Sequence, residues 1–380
     1  MRRIRSLDGL RGVAAVIVVI HHSLLVRPAL ANGYSSNYAA APPIRSVDWW
    51  MIHSPLHLAW AGGEAVLVFF VLSGVVLTLP FIERRSADND HWNSYYPRRM
   101  ARLYPPVWGA LAFAVLLIVV VRGVSGDNAS WWVADQRGSI GPGRIASDAL
   151  LVGSPGNVIS VLWSLKWEVV FSLVLPGFIV GARVSRNLPG FGVAVVLVGL
   201  VVVGAVTQSP ELVYLPVFGL GVLLTQHRSA VERTCGRMNG WKWMAFGLGG
   251  NVLLLNRWFL TAVPAIDEDL RTPRAVWLTV APASIGAAMV VVLAWHCRPI
   301  VRLLETQSSQ WMGHRSYSLY LVHIPIVIAA AAWFSGWSPV SVPVVLIAAM
   351  SAALVLHRFV EVPSIRWSRR VGEWAARTAA

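Results

Sequence analysis

Charge is scarce in this chain. Asp, Glu, Lys and Arg make up 13% of it, where an ordinary soluble domain carries roughly 25%. A soluble globule does not keep so apolar a surface in water, and intrinsic disorder needs the opposite balance. Cysteine is nearly missing: Cys235 and Cys297 are the only two, so a disulfide framework is excluded. Glycine shows no triplet period, which removes collagen-like fibres. No repeat of roughly 20–50 residues recurs, which removes solenoids. The strict apolar–polar alternation of outer-membrane barrels is absent as well. What the chain does have is continuous apolar runs, such as Ala112–Val121 and Val193–Val206, with 56% apolar residues and a mean hydropathy of +0.59. These predict an all-α polytopic protein, multi-pass in the cytoplasmic (inner) cell membrane, with the lipid bilayer as its first partner.

A span needs about 20 residues. On that basis the sequence predicts about ten helices: 12–27, 59–80, 105–121, 158–181, 190–207, 212–226, 241–256, 276–296, 317–334 and 339–356. Lys and Arg number 32 against 18 Asp and Glu. Counted segment by segment, with the N-terminus inside, the inner segments carry a net +15 and the outer ones balance to zero. Cytoplasmic loops collect Lys and Arg, so the asymmetry predicts cytoplasmic N- and C-termini. It also accounts for the +14 total without nucleic acid. Residues 1–363 read as a single membrane domain and 364–380 as a short basic cytoplasmic tail. The outer loops 28–58 and 122–157 carry the pairs Trp49-Trp50 and Trp131-Trp132, read either as interfacial anchors or as platforms for a sugar ring.

Ionisable residues inside a span are expensive and mark candidate sites. Arg11 and His22 are eleven residues apart, three helical turns plus about 20°, so they share a face about 16 Å apart along the axis. Arginine matches a phosphate through its fork of donors, and neutral imidazole can take a proton from a hydroxyl. A positive-inside anchor and an interhelical hydrogen bond explain the pair equally well. In Tyr96–Pro105, Arg99 and Arg102 lie one turn apart and can grip one anion, or simply mark topology. Glu168 and Lys166 follow Trp163-Ser164-Leu165 in the fourth helix, and Glu64 lies in the second. No GxxxxGK[ST], HExxH or metal-ligand His spacing occurs, so no metal is expected.

Six short stretches, taken together and in order, carry a resemblance. They are Ser6–Gly12 running on to His22, Phe69–Gly74, Arg99-Met100-Ala101-Arg102, Trp163-Ser164-Leu165 with Glu168, Ser316–His323 with Pro325, and Glu361-Val362-Pro363. The chain resembles the acyltransferase-3 family of integral membrane acyltransferases from about Ile4 to Pro363. One position departs from the pattern: Leu67 stands where many members carry Asp, with Glu64 one turn earlier. The resemblance implies transfer of an acyl group, acetyl being the expected one, from acyl-CoA as donor substrate rather than resident cofactor. It implies an acceptor hydroxyl on a cell-envelope glycan, a lipid-linked sugar or a secondary metabolite. It implies that Arg11, Arg99 and Arg102 hold the CoA phosphates. By the same resemblance His22 is expected to act as general base or transient acyl carrier, and Glu168 to orient a partner or the acceptor. Trp163, Tyr320 and His323 are expected to contact substrate, with packing as the competing role for the last two. A transporter or a non-catalytic export partner remains the alternative from the composition alone.

Overall fold

The computed structural model describes residues 4–34, 42–82, 92–121, 130–136, 141–263, 269–334 and 336–378. Among them there is no strand. The apolar runs become helices α1 (Arg5–Leu24), α2 (Gly62–Ile82), α3 (Trp92–Val120), α4 (Leu162–Val184), α5 (Gly190–Thr207), α6 (Pro210–Gln226), α7 (Gly240–Leu254), α8 (Val280–His296), α9 (Gln307–Trp333) and α10 (Ser341–Leu356). A further helix, α11 (Val362–Thr378), follows α10 through a π-helical turn, His357–Glu361. Each of the ten expected helices has a counterpart. Eight helical stretches among the described residues are long and apolar enough to cross a bilayer. α6 and α7, at 17 and 15 residues, are shorter than the roughly 20 a straight crossing needs.

Three helix starts lie well before the expected ones, that of α1 at Arg5 among them. α3 begins at Trp92 and α9 at Gln307, because their first turns are polar and pack on protein instead of lipid. The stretch Tyr96–Pro105, expected as the mouth of a helix starting at Pro105, is therefore itself helical and runs through Pro97 and Pro105. Its neighbour is α11. Residues 364–378, expected as a tail, are helical and packed. Ser364, Ser368, Gly372 and Ala375 form one buried face, whose small side chains let α11 approach α3 closely. A polar, small-residue stripe leaves no hydropathy signal, which is why it reads as a tail.

Two apolar clusters make the core. One is built from α1, α3, α9 and α10 with the segments 25–61 and 132–161, and the other from α2, α4, α6 and α8. α1 contributes to both, with Leu7 and Leu10 in the second and Ala14–Val19 in the first. α1 packs most extensively on α9, where a Cβ on Gly12 would collide with the backbone of Gly313, and one on Gly313 with the carbonyl of Asp8. Gly74 of α2 and Gly221 of α6 make the equivalent contact in the other cluster. Such glycine contacts let helix backbones meet where lipid supplies no hydrophobic drive between them. They bring α9 against the face of α1 that carries Arg11 and His22.

Candidate active site

α1 holds one candidate group near each of its ends. At its start, Arg11 forms an ion pair with Asp8 at 3.8 Å. α3 brings in Arg99, whose Nη2 donates to Glu168 Oε1 at 2.5 Å and whose Nε donates to Ser172 Oγ at 3.1 Å. Both acceptors lie on α4 one turn apart, so the Arg99 fork ties α3 to α4. Arg102, one turn further along α3, is exposed to solvent. No described residue hydrogen-bonds or ion-pairs with its side chain. Even so, Arg11, Arg99, Glu168 and Glu361 are the charges that surround it. The Arg102 guanidinium thus stands among these charges, open to solvent, with its donors unspent on the described residues.

Behind Arg102, the buried Glu361 is held in the π-helical turn. Ser318 Oγ donates to its Oε2 at 2.5 Å, and His357 Nδ1 lies 2.9 Å from the same oxygen. Tyr317 of α9 donates to the carbonyl of Leu103 at 2.7 Å. π-turns cluster at functional positions, and this one sets a carboxylate beside the arginines. The sequence carried it only as the Glu361-Val362-Pro363 match, without a role.

At the far end of α1, His22 is half-buried and His323 of α9 has no exposed surface. His22 Nδ1 lies 2.9 Å from the carbonyl of Val18 and 3.1 Å from His323 Nε2. His323 Nδ1 in turn lies 3.3 Å from the carbonyl of Leu319. Carbonyls only accept, so both Nδ1 atoms carry the proton. His22 Nδ1–H is then shared between Val18 and the lone pair of His323 Nε2. That assignment leaves His22 Nε2 with a free lone pair, and no described residue hydrogen-bonds it. Trp132 closes the other side of the ring, with centroids 5.3 Å apart. Ser130 Oγ, donating to the carbonyl of Leu25 at 2.5 Å, pins the start of that short helix to the end of α1.

His323 was expected to contact substrate. The structure places it behind His22, with its Nε2 3.1 Å from His22 Nδ1. Tyr320, one turn earlier, is also buried, and its hydroxyl lies 2.6 Å from Ser164 Oγ. Trp163 is half-exposed and packs on Tyr214 and Phe70. Glu168 was expected as a catalytic group, but it joins Arg99 and no described contact links it to His22. Sequence spacing could not show the His22–His323 contact, which spans 301 residues.

Beyond His22 lies a second polar cluster. His21 Nδ1 donates to the carbonyl of Trp60 at 2.9 Å. The Tyr34 hydroxyl lies 3.0 Å from His57 Nε2, and Trp258 Nε1 donates to Glu64 Oε1 at 2.7 Å. The His57 and Trp258 rings stack 4.3 Å apart. Burial holds His57 well below the usual imidazole range and pushes the Tyr34 hydroxyl well above its own. The cluster fixes the last turn of α1 from outside. A Cβ on Gly62, at the head of α2, would strike the His21 ring.

These features agree with the comparisons to known proteins. The family model described as an acyltransferase domain, acyltransferase 3, matches residues 4–358. YrhL of Bacillus subtilis, which carries a provisional name as a peptidoglycan O-acetyltransferase, is 23% identical over 95% of this chain and 55% of its own length. The peptidoglycan O-acetyltransferase OatA of Listeria monocytogenes is 21% identical over 85% of this chain and 49% of its own. The chain thus spans about half the length of these two relatives. Acyltransferase R4 of a Phoma species is 21% identical over 96% of this chain and 95% of its own. No solved structure matches. With its helices, its histidine pair and a family match over nearly its whole length, the chain belongs to the acyltransferase-3 family.

Proposed function

We propose that the protein is a membrane-bound O-acyltransferase that moves an acyl group, acetyl the expected one, from acyl-CoA to an acceptor hydroxyl. The observation that carries this reading is the free Nε2 lone pair of His22, set about 16 Å along one helix from Arg11. CoA has matching dimensions: phosphates at one end and a thioester on a long thin arm. Arg102 offers unspent donors to those phosphates, with Arg11 and Arg99 beside it, and each charge-assisted contact is worth about 1.5–3 kcal/mol. His22 Nε2 takes the proton of the acceptor hydroxyl as its oxygen attacks the thioester carbonyl. The C–S bond breaks, and the CoA sulfur leaves with the proton that the imidazolium returns. In the alternative sequence, Nε2 itself carries the acyl group between donor and acceptor.

The acceptor we propose is a glycan or lipid-linked sugar on the extracytoplasmic side, a secondary metabolite being the other candidate. The provisional and established names of two relatives, both for peptidoglycan O-acetylation, support a glycan. Trp132 supports an outer approach, since it comes from the long outer segment and abuts His22. This reading puts the arginine end, and both termini, on the cytoplasmic side of the inner membrane. Sealed inside-out vesicles given labelled acetyl-CoA test it. Free CoA thiol is expected outside and labelled acceptor within the lumen. No thiol release from the wild type removes the acyl-transfer reading. Product confined to the outside of the vesicles removes the relay across the bilayer.

A further inference from the structure

Acyl transfer leaves α11 unexplained. Ser341–Thr378 is one continuous helical rod of 38 residues, about 57 Å long at 1.5 Å per residue. The hydrocarbon core is about 30 Å thick. The apolar part, α10, is 16 residues and takes up about 24 Å of it. The charged residues of α11 therefore lie beyond the hydrocarbon, at the level of the headgroups. The side is fixed by packing: the Ser364 hydroxyl lies 3.5 Å from the carbonyl of Arg102, and Gly372 faces the side chain of Arg98. α11 lies in the leaflet of the arginine end.

Its faces are segregated. The small residues point to α3. Trp367 and Trp374, 53% and 66% exposed, stand two turns apart on one side. Next to them, Arg366, Arg370 and Arg377 form a second exposed stripe, all within about 40° of one another around the helix. Arg369 flanks it, and Glu373, the one acid in α11, lies at the edge of the same stripe one turn from Arg370 and Arg377, so the helix carries a net +3. Tryptophan settles at the boundary of chains and headgroups, and arginine beside it meets phosphates. We propose that α11 is a binding surface for anionic phospholipids of this leaflet. Trp367 and Trp374 sit among the glycerol and first methylenes, and Arg366, Arg370 and Arg377 take the phosphate oxygens. Lipid held there braces the helix that carries Arg98, Arg99 and Arg102.

The full chain in nanodiscs tests this, with tail-brominated phosphatidylglycerol or brominated phosphatidylcholine as a minor component. The signal is tryptophan quenching that disappears in Trp367→Phe/Trp374→Phe. Brominated phosphatidylglycerol is expected to quench that signal several-fold more than its mole fraction predicts, and brominated phosphatidylcholine in proportion. Arg366→Gln/Arg370→Gln/Arg377→Gln should abolish the preference, each arginine contributing at most about fivefold. The triple Lys variant should retain most of it. Equal quenching by both lipids in the wild type overturns the proposal, as does a preference that survives in the Gln variant. Loss of the preference on adding free CoA or inorganic phosphate reassigns the arginines to a soluble ligand and also overturns it.

Discussion

The two ends of α1 solve opposite electrostatic problems on one helix. The arginine end is ionic and wet. Arg11 and Arg99 are neutralised by Asp8 and Glu168, while Arg102 keeps its donors for something not supplied by its neighbours. The histidine end carries no formal charge in contact with His22. Its ring touches two more imidazoles and an indole, and its hydrogen bonds go to a carbonyl and a neutral nitrogen. A polyanion suits the first environment, and a neutral base with a fixed tautomer suits the second. The division shows how one molecule can be gripped by charge at one end and react in a low-dielectric setting at the other.

The most damaging way to break the comparison is to remove the base. His22→Ala should lower acyl transfer by about 10²–10⁴ in rate, with donor affinity left near wild type because the arginines are untouched. The measurement is labelled acetyl transfer in purified membranes, read beside CoA binding. A variant that transfers at wild-type rate would show that the histidine end is only a packed polar cluster.

The arginine end should fail in affinity. Arg102→Ala is expected to weaken CoA binding roughly tenfold to a hundredfold, the loss of one charge-assisted contact. Its melting temperature should hardly change, since no described residue pairs with it. Arg99→Ala should combine weaker binding with a stability loss of about 1–3 kcal/mol, because Glu168 and Ser172 lose their donor. Titrating both variants with CoA and dephospho-CoA, and melting them in detergent, separates a ligand-facing arginine from a structural one. Identical behaviour of the two would erase that distinction.

The positions of the helices and the shared face of Arg11 and His22 were legible in the sequence, because hydropathy and the 3.6-residue period are local signals. What joins the helices was not. Glu168 was expected to orient a partner or the acceptor, but the sequence named no partner; the packing of α3 on α4 shows Arg99 neutralising it. His323 looked like a substrate contact, and its place behind His22 depends on the glycine contact between α1 and α9. His21 lies about 100° around the helix from His22, and nothing in the sequence shows what that face meets. It is in fact buried against Trp60 and Gly62. α11 was missed because its buried face is serine, glycine and alanine, residues that hydropathy scores as loop or tail.

Orientation of His22 gives a smaller effect. His323→Ala removes the acceptor of one neutral hydrogen bond, worth about 0.5–1.5 kcal/mol. It should therefore cost roughly two- to tenfold in kcat, with KM for the donor unchanged. His323→Gln can return an acceptor oxygen near the Nε2 position and should recover part of the rate. If Gln behaves like Ala while both fold normally, the pairing with His22 does not position the base.

The smallest effect tests the neutrality of the histidine end through its outer support. His57 lies outside the spans and has no exposed surface. Burial, then His21, holds its pKa well below 6.5, and Arg257 and His53 add to that. Tyr34 faces it from one side and Trp258 from the other, with Glu64 bonded to Trp258. In the unfolded chain His57 titrates near 6.5. Above that pH both states are neutral there and the group adds no pH dependence. As the pH falls below 6.5 the unfolded chain takes a proton that the folded protein refuses, so stability declines. Melting of the wild type should drop between pH 7.5 and 5.5, and His57→Gln should flatten that slope by roughly 2–4 °C. Gln keeps a hydrogen-bond partner for Tyr34, so melting at pH 7.5 should stay close to wild type. A slope unchanged by the substitution would mean that protons enter the folded cluster freely, and that its neutrality is not what holds the end of α1.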